Sequence, residues 1–181
     1  MRIIAGNWKG KRLLAPEGEA TRPTAIRARQ ALFDMLWHAS WAGREHVEDA
    51  VVLDAFAGTG AYGLEALSRG ATQATFIEKD RGALAVLRGN IAACGANGRV
   101  IAGDATRPPR ATAPCTLVFL DPPYGSGLLG PALAALDAAG WFAPGALVCT
   151  ELGPKDEAPE TRLTQIAERA HGKARLLVLG G

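Results

Sequence analysis

Asp54, Glu78, Asp104 and Asp121 each follow an apolar run in this 181-residue chain: "AVVLD", "ATFIE", "RVIAGD" and "CTLVFLD". Each run reads as a buried strand, and each acid stands at its end or just past it. In open α/β sheets, ligands bind at the carboxyl ends of the strands, near the point where strand order reverses. Four carboxylates on one such edge would line a site. The first opens "DAFAGTGAYG", where Gly58, Gly60 and Gly63 satisfy G-x-G-x-x-G and Glu78 follows Gly58 by 20 residues. That spacing suits close approach of the backbone to a ligand, then an acid for ribose hydroxyls. Asp54 narrows the ligand. A carboxylate directly before the loop repels a pyrophosphate but accepts hydrogen bonds from an ammonium group. S-adenosylmethionine carries an ammonium and a ribose and has no phosphate, so D-x-F-x-G-x-G favours it over NAD. Asp104, in "AGDAT", then supplies an acceptor for the adenine amino group.

The fourth acid opens "DPPYGSG". Two consecutive prolines give up two backbone donors and fix two φ angles, so this turn is rigid. An exocyclic amino group on a nucleobase is a poor nucleophile, because its lone pair is delocalised into the ring. Two acceptors set tetrahedrally around its N–H bonds would localise that lone pair and aim it at an activated methyl. Asp121 and the carbonyl of Pro122 can be those acceptors, and Tyr124 can stack on a base that has left its helix or loop. Positioning and preorganised electrostatics then do the catalysis, with no metal.

The elements that must place these groups alternate. After the strand ending at Asp54, "TGAYGLEALSRG" and "RGALAVLRGNIAACG" read as helices, as does "GLLGPALAALDAAG" despite Pro131; "GALVCTEL" reads as a strand. Continuous apolar runs separated by helices indicate a parallel sheet covered on both faces. "RLTQIAERA-HGK-ARLLVL" leaves no room for a crossover helix and is expected to form an antiparallel hairpin closing one edge. The front differs. "RIIAGNWKGKRLLAP" reads as two short strands about a polar turn at Gly10, and a helix starts near Thr24 with Ala28, Leu32, Met35 and Leu36 at helical spacing.

Residues 1 to 44 hold eight Lys or Arg against three acids, whereas the remainder is mildly acidic and the whole chain is +2. A basic front on an acidic body suggests a polyanion. Lys9, Lys11, Arg12, Arg22 and Arg27 are the expected phosphate contacts, with Arg2 and Arg29 facing the same way; Arg22 and Arg27, at a helix start, could instead hold a cofactor's carboxylate. No apolar run approaches the length of a membrane span and no signal-peptide core opens the chain, so the expected compartment is the cytoplasm. Cys94, Cys115 and Cys149 are scattered through apolar contexts, as buried inert thiols would be.

With these residues in view, D-x-F-x-G-x-G, the second-strand Glu and D-P-P-Y resemble the class I S-adenosylmethionine-dependent methyltransferases that act on base amino groups. "RIIAGNWKGKRLLAP", "RPTAIRARQALFDML", "FAGTGAYGLEALSRGA" and "FIEKD" closely resemble the RsmD family, from Arg2 to about Trp141. The family methylates the N2 amino group of a guanine in bacterial 16S ribosomal RNA. The resemblance implies a Rossmann-like α/β fold with a seven-stranded, mostly parallel sheet and a C-terminal antiparallel hairpin. It implies a basic hairpin-and-helix extension at 1–44 for RNA and a methyltransferase domain at 45–181. The expected cofactor contacts are Asp54, Phe56, Gly58, Gly60, Glu78, Lys79, Asp104 and Ala105. The expected catalytic residues are Asp121, Pro122 and Tyr124, with Tyr124 also touching RNA. The expected substrate is 16S ribosomal RNA in an assembled or nearly assembled 30S subunit, and the enzyme a monomer. The chain departs from the family at its end, "ARLLVLGG", where relatives carry a tyrosine- and arginine-containing strand. An adenine-N6 methyltransferase of DNA or RNA would also use D-P-P-Y, but it usually needs a recognition domain. An NAD-dependent oxidoreductase would need an acid or base at the ligand edge, and His38, His46 and His171 fall elsewhere.

Overall fold

The computed structural model describes residues 1–16, 23–172 and 174–181. Seven strands form one sheet in the order β3-β2-β1-β4-β5-β7-β6. The strands are β1 (Val51–Ala55), β2 (Gln73–Glu78), β3 (Gly98–Ala102), β4 (Cys115–Leu120), β5 (Phe142–Leu152), β6 (Thr164–His171) and β7 (Ala174–Gly180). The first five run parallel, and β7 enters antiparallel between β5 and β6. Chain order reverses beside β1, whose neighbours are β2 and β4. The parallel strands therefore deliver Asp54, Glu78, Asp104 and Asp121 to one edge, astride the reversal. The C-terminal hairpin forms as expected from its length.

Helices α1 (Pro23–His38), α2 (Ala61–Ser68) and α3 (Arg81–Cys94) cover one face, and α4 (Leu129–Ala138) the other. The faces follow from alternation along the strands. Val52, Phe76, Phe119 and Cys149 belong to the core under α1 to α3, while Leu53, Ile77, Val118 and Val148 belong to the core under α4. Helix α3 starts with Asp80, whose carboxylate accepts from the Ala83 N–H at 2.8 Å, and ends at Gly95 in the left-handed region. Helix α2 lies close on the sheet because Gly63 has no side chain: a Cβ there would stand 2.4 Å from the Phe76 ring.

The front hairpin is shorter than its sequence suggests. Arg2 and Arg12 form one antiparallel bridge, and a single 3₁₀ turn (Gly6–Trp8) joins the two arms. The arms are held by Ile3 N–H to the Lys11 carbonyl and Leu13 N–H to the Met1 carbonyl, both 2.9 Å. Helix α1 runs from Pro23, beside the expected start near Thr24, and Ala28, Leu32, Met35 and Leu36 are all buried. Ile3, Leu13 and Phe33 share one core with Val52 and Leu64, so the front packs onto the sheet's helical face. No helix among the described residues is long and apolar enough to cross a membrane. Cys94, Cys115 and Cys149 are buried and free, and burial pushes the Cys115 thiol up to about 12.

Candidate active site

The glycine loop between β1 and α2 is closed from both sides by carboxylates. Asp54 is 2% exposed, and one of its oxygens accepts the Gly63 N–H at 2.8 Å, an amide in the first turn of α2. Glu78 accepts the Gly58 N–H through one oxygen and the Lys79 and Asp80 N–H groups through the other, each at 2.8 Å. The two acids expected to face a ligand thus also shape the loop around it. Gly58 has φ +53°, and open space lies where a Cβ would point. Phe56 takes φ +61° although it is not glycine, which is uncommon for a bulky residue and typical of strain held at functional sites.

Asp54 is strongly affected by its enclosure. Burial, opposed by the Gly63 hydrogen bond and reinforced by Asp121 and Glu78, pushes its carboxyl up to about 8. Asp104 behaves oppositely. Its carboxylate accepts the Thr106 N–H (2.9 Å) and hydroxyl (2.7 Å), with the Lys79 ammonium 3.4 Å away, and these hold it below the usual range. Lys79 is exposed and reaches Asp104, while the Ala105 side chain is buried in the core under α4.

On the far side of the strand-order reversal, the D-P-P-Y turn is fastened at several points. Pro122 is buried, and the Pro123 carbonyl accepts the Ser126 N–H at 3.1 Å. Asp156 accepts the Gly125 N–H (3.2 Å) and the Gly153 N–H (2.8 Å), tying this turn to the segment after β5. Tyr124 is 51% exposed, and its hydroxyl donates to Glu151. Crowding in the cleft, then the Glu151 carboxylate, push the Asp121 carboxyl upward. Its outer side stays open to water, which limits that rise. Tyr62, half-buried and stacked on Phe119 with centroids 5.2 Å apart, lies within electrostatic reach of both Asp121 and Glu151. A cavity of about 400 Å³ opens between the turn and residues 151–159, with Pro122, Glu151 and Lys155 in its wall.

The basic front divides into exposed and committed charges. Arg2, Lys9, Arg12 and Arg27 are exposed, whereas Arg22 lies outside the described residues. Lys11 is half-buried and its ammonium donates to the Ala93 carbonyl near the end of α3. Arg29 does not face outward. It is 1% exposed, donates to the Arg2 carbonyl at 2.7 Å and sits 3.6 Å from Glu65. Its position in α1, one residue after the buried Ala28, turns it onto α2.

Glu65, Glu151 and Asp156 were absent from the sequence reading. Glu151 was findable, because "VCTEL" is an apolar run with an acid near its end, by the rule that singled out Asp121. Glu65 showed only as a lone acid in the otherwise apolar helix "GLEALS". Asp156 sits in a polar loop and carried no signal.

The family model described as Conserved hypothetical protein 95 matches residues 1–180. "Ribosomal RNA small subunit methyltransferase D" of Escherichia coli K12 is 41% identical over 153 residues, covering 83% of this chain and 74% of that protein. A solved Escherichia coli structure, yhhF, superposes with a TM-score of 0.84 at 36% identity, over 99% of this chain and 97% of that one. The Thermus thermophilus 16S rRNA N2 methyltransferase RsmC, solved with AdoMet and guanosine, shares the fold. Its TM-score is 0.68 at 20% identity, over 91% of this chain and 44% of that one.

Proposed function

The chain belongs to the family described as Conserved hypothetical protein 95, that of the small-subunit ribosomal RNA methyltransferases D, and from that premise we infer that it methylates the N2 amino group of a guanine in 16S ribosomal RNA. The observation that carries this reading is the meeting, on one sheet edge, of a carboxylate-closed glycine loop and the rigid D-P-P-Y turn. Four acids line that edge, and Lys79 is already drawn to Asp104. Such a surface disfavours a cofactor with phosphates and fits S-adenosylmethionine, which supplies a methyl group activated on a sulfonium centre. Glu78 would accept from the ribose hydroxyls and Asp104 from the adenine amino group. Phe56, Lys79 and the backbone at Gly58, Gly60 and Ala105 would line the pocket, and Asp54 would keep the loop in shape.

Asp121 and the Pro122 carbonyl would accept the two N–H bonds of the guanine amino group and localise its lone pair. As the new N–C bond forms, the amino group must lose a proton. Asp121 would take it, and its raised affinity for protons favours that transfer. Tyr124 would stack on the base. Residues 1–44 would grip RNA and residues 45–181 would do the chemistry, a division of labour between parts that share one core. The substrate would be the assembled or nearly assembled 30S subunit, met in the cytoplasm by a monomer. Labelled methyl transfer should therefore be faster to isolated 30S subunits than to naked 16S RNA; a preference for naked RNA would place the enzyme earlier in assembly.

Glu78→Ala should weaken S-adenosylmethionine binding by about 1.5–3 kcal/mol, the worth of a hydrogen bond involving a charged group. Calorimetry on the folded variant is the check, and unchanged affinity would remove the ribose assignment.

Arg2 and Arg12 pair directly across the front hairpin, and like charges so placed destabilise it unless an anion sits over them. RNA phosphates are such anions. Replacing Lys9 and Arg12 by Ala should flatten the slope of log affinity against log salt by about 0.7–0.9 per lost contact. Lys11 should contribute less, since its ammonium is engaged by α3. Salt titrations of 30S binding with equal slopes for wild type and the double variant would place the RNA grip elsewhere.

A further inference from the structure

We propose that Glu151 reads the N1–H of the target guanine and so sets which base enters the site. The inference rests on the guanine-N2 reading above and adds a residue to it. Strands β4 and β5 run parallel with Leu120 opposite Thr150, so the next residues, Asp121 and Glu151, emerge side by side on adjacent strands. Neighbouring strands lie about 4.8 Å apart. Both follow residues of the α1–α3 face by an even count, Phe119 and Cys149, and so project toward the same side of the sheet. The Tyr124 hydroxyl donates to Glu151, which fixes the carboxylate beside the aromatic ring expected to carry the base. A carboxylate accepts through two oxygens, so one donor leaves acceptor capacity to spare.

Guanine offers this arrangement a distinctive edge. Its N2 amino group and its N1–H are adjacent donors, so an amino group held by Asp121 places N1–H toward a neighbouring acceptor. Adenine carries an unprotonated N1 beside its amino group. A carboxylate oxygen facing that nitrogen would meet another acceptor and be repelled. Glu151 would thus favour guanine by an attractive contact and reject adenine by the cost of desolvating an acceptor oxygen that gains no donor. The same contact would fix the base in its plane, with N2 aimed at the methyl donor.

Guanosine and N1-methylguanosine, used as competing inhibitors of methyl transfer to 30S subunits, test the assignment. Guanosine should inhibit the wild type about ten- to a hundredfold more strongly than N1-methylguanosine, on the scale of one charge-assisted hydrogen bond. Glu151→Met, which keeps bulk but cannot accept, should bring the two nucleosides close to equal inhibition. Glu151→Gln, which retains one acceptor oxygen, should fall between. Equal inhibition of the wild type by both nucleosides needs no variant to fold and would overturn the proposal. So would a Met variant that keeps the wild-type ratio. The product nucleoside of the same reactions separates the two levels. N2-methylguanosine with an insensitive ratio overturns Glu151 alone, whereas methyl on another base overturns the guanine reading with it.

Discussion

Asp121→Ala should slow methyl transfer by about a hundred- to a thousandfold, the cost of removing one preorganised partner of a transition state. Cofactor affinity should barely change, because Asp121 stands across the strand-order reversal from the glycine loop. Asp121→Asn isolates the proton. It keeps an acceptor oxygen for the amino group but cannot take up the proton released as the new bond forms. Its rate should lie between those of wild type and the Ala variant. The wild-type rate should rise with pH and level off once Asp121 is ionised. Crowding and the Glu151 charge raise its pKa, so that limb lies above the ordinary carboxyl range. Single-turnover rates at saturating cofactor are the measurement. Near-normal turnover by Asp121→Ala would reduce D-P-P-Y to a structural turn.

Glu65→Ala should cost about 3–5 kcal/mol of stability, the range for breaking a buried ion pair by removing one partner. Glu65 is fully buried and accepts the Ile4 N–H (2.8 Å), the Ala5 N–H (3.0 Å) and the Arg69 guanidinium (2.8 Å), with Arg29 beside it. Truncation strands two buried arginines and two amides of the front segment together. Arg69 also lies over the Phe33 ring, 4.7 Å from its centroid, so the loss extends into α1. Such a loss is a large part of the roughly 5–15 kcal/mol that holds a typical domain together. Urea midpoints of the variant and wild type measure it. A loss under about 1 kcal/mol, the scale of an exposed pair, would show that the front segment is held by its apolar contacts alone.

The sheet and the gathering of four acids on one of its edges were legible because the signals were local and repeated. Each buried strand appeared as an apolar run, three of the four parallel crossovers as helical segments, and each acid as punctuation after a strand. The antiparallel hairpin followed from a length argument, since eight and seven residues about one turn leave no room for a crossover. The fate of the basic front was not legible. Arg27 and Arg29 look alike in "AIRARQ", yet a helix turns two positions through roughly 200°, placing Arg27 in solvent and Arg29 on the Glu65 carboxylate. Nothing local announces that partner, which arrives from 36 residues away in the chain. Lys11 likewise has a partner that nothing local announces, the Ala93 carbonyl. At the site, residue types marked positions that the fold brings to one sheet edge but undercounted their duties. Asp54 and Glu78 are expected ligand acceptors from their positions alone, and the structure shows them holding the backbone of the glycine loop. The Phe56 left-handed backbone had no signal in its residue type.

The most direct test of the account is nucleoside analysis of 16S RNA from 30S subunits incubated with the protein and methyl-labelled S-adenosylmethionine. The subunits should come from cells that lack the corresponding methyltransferase, so that the target is unmodified. The label should appear in N2-methylguanosine at a single position, and should vanish when Asp121→Ala replaces the wild type at matched enzyme and time. Label in N6-methyladenosine, or an equal yield of N2-methylguanosine from the Asp121→Ala protein, would contradict it.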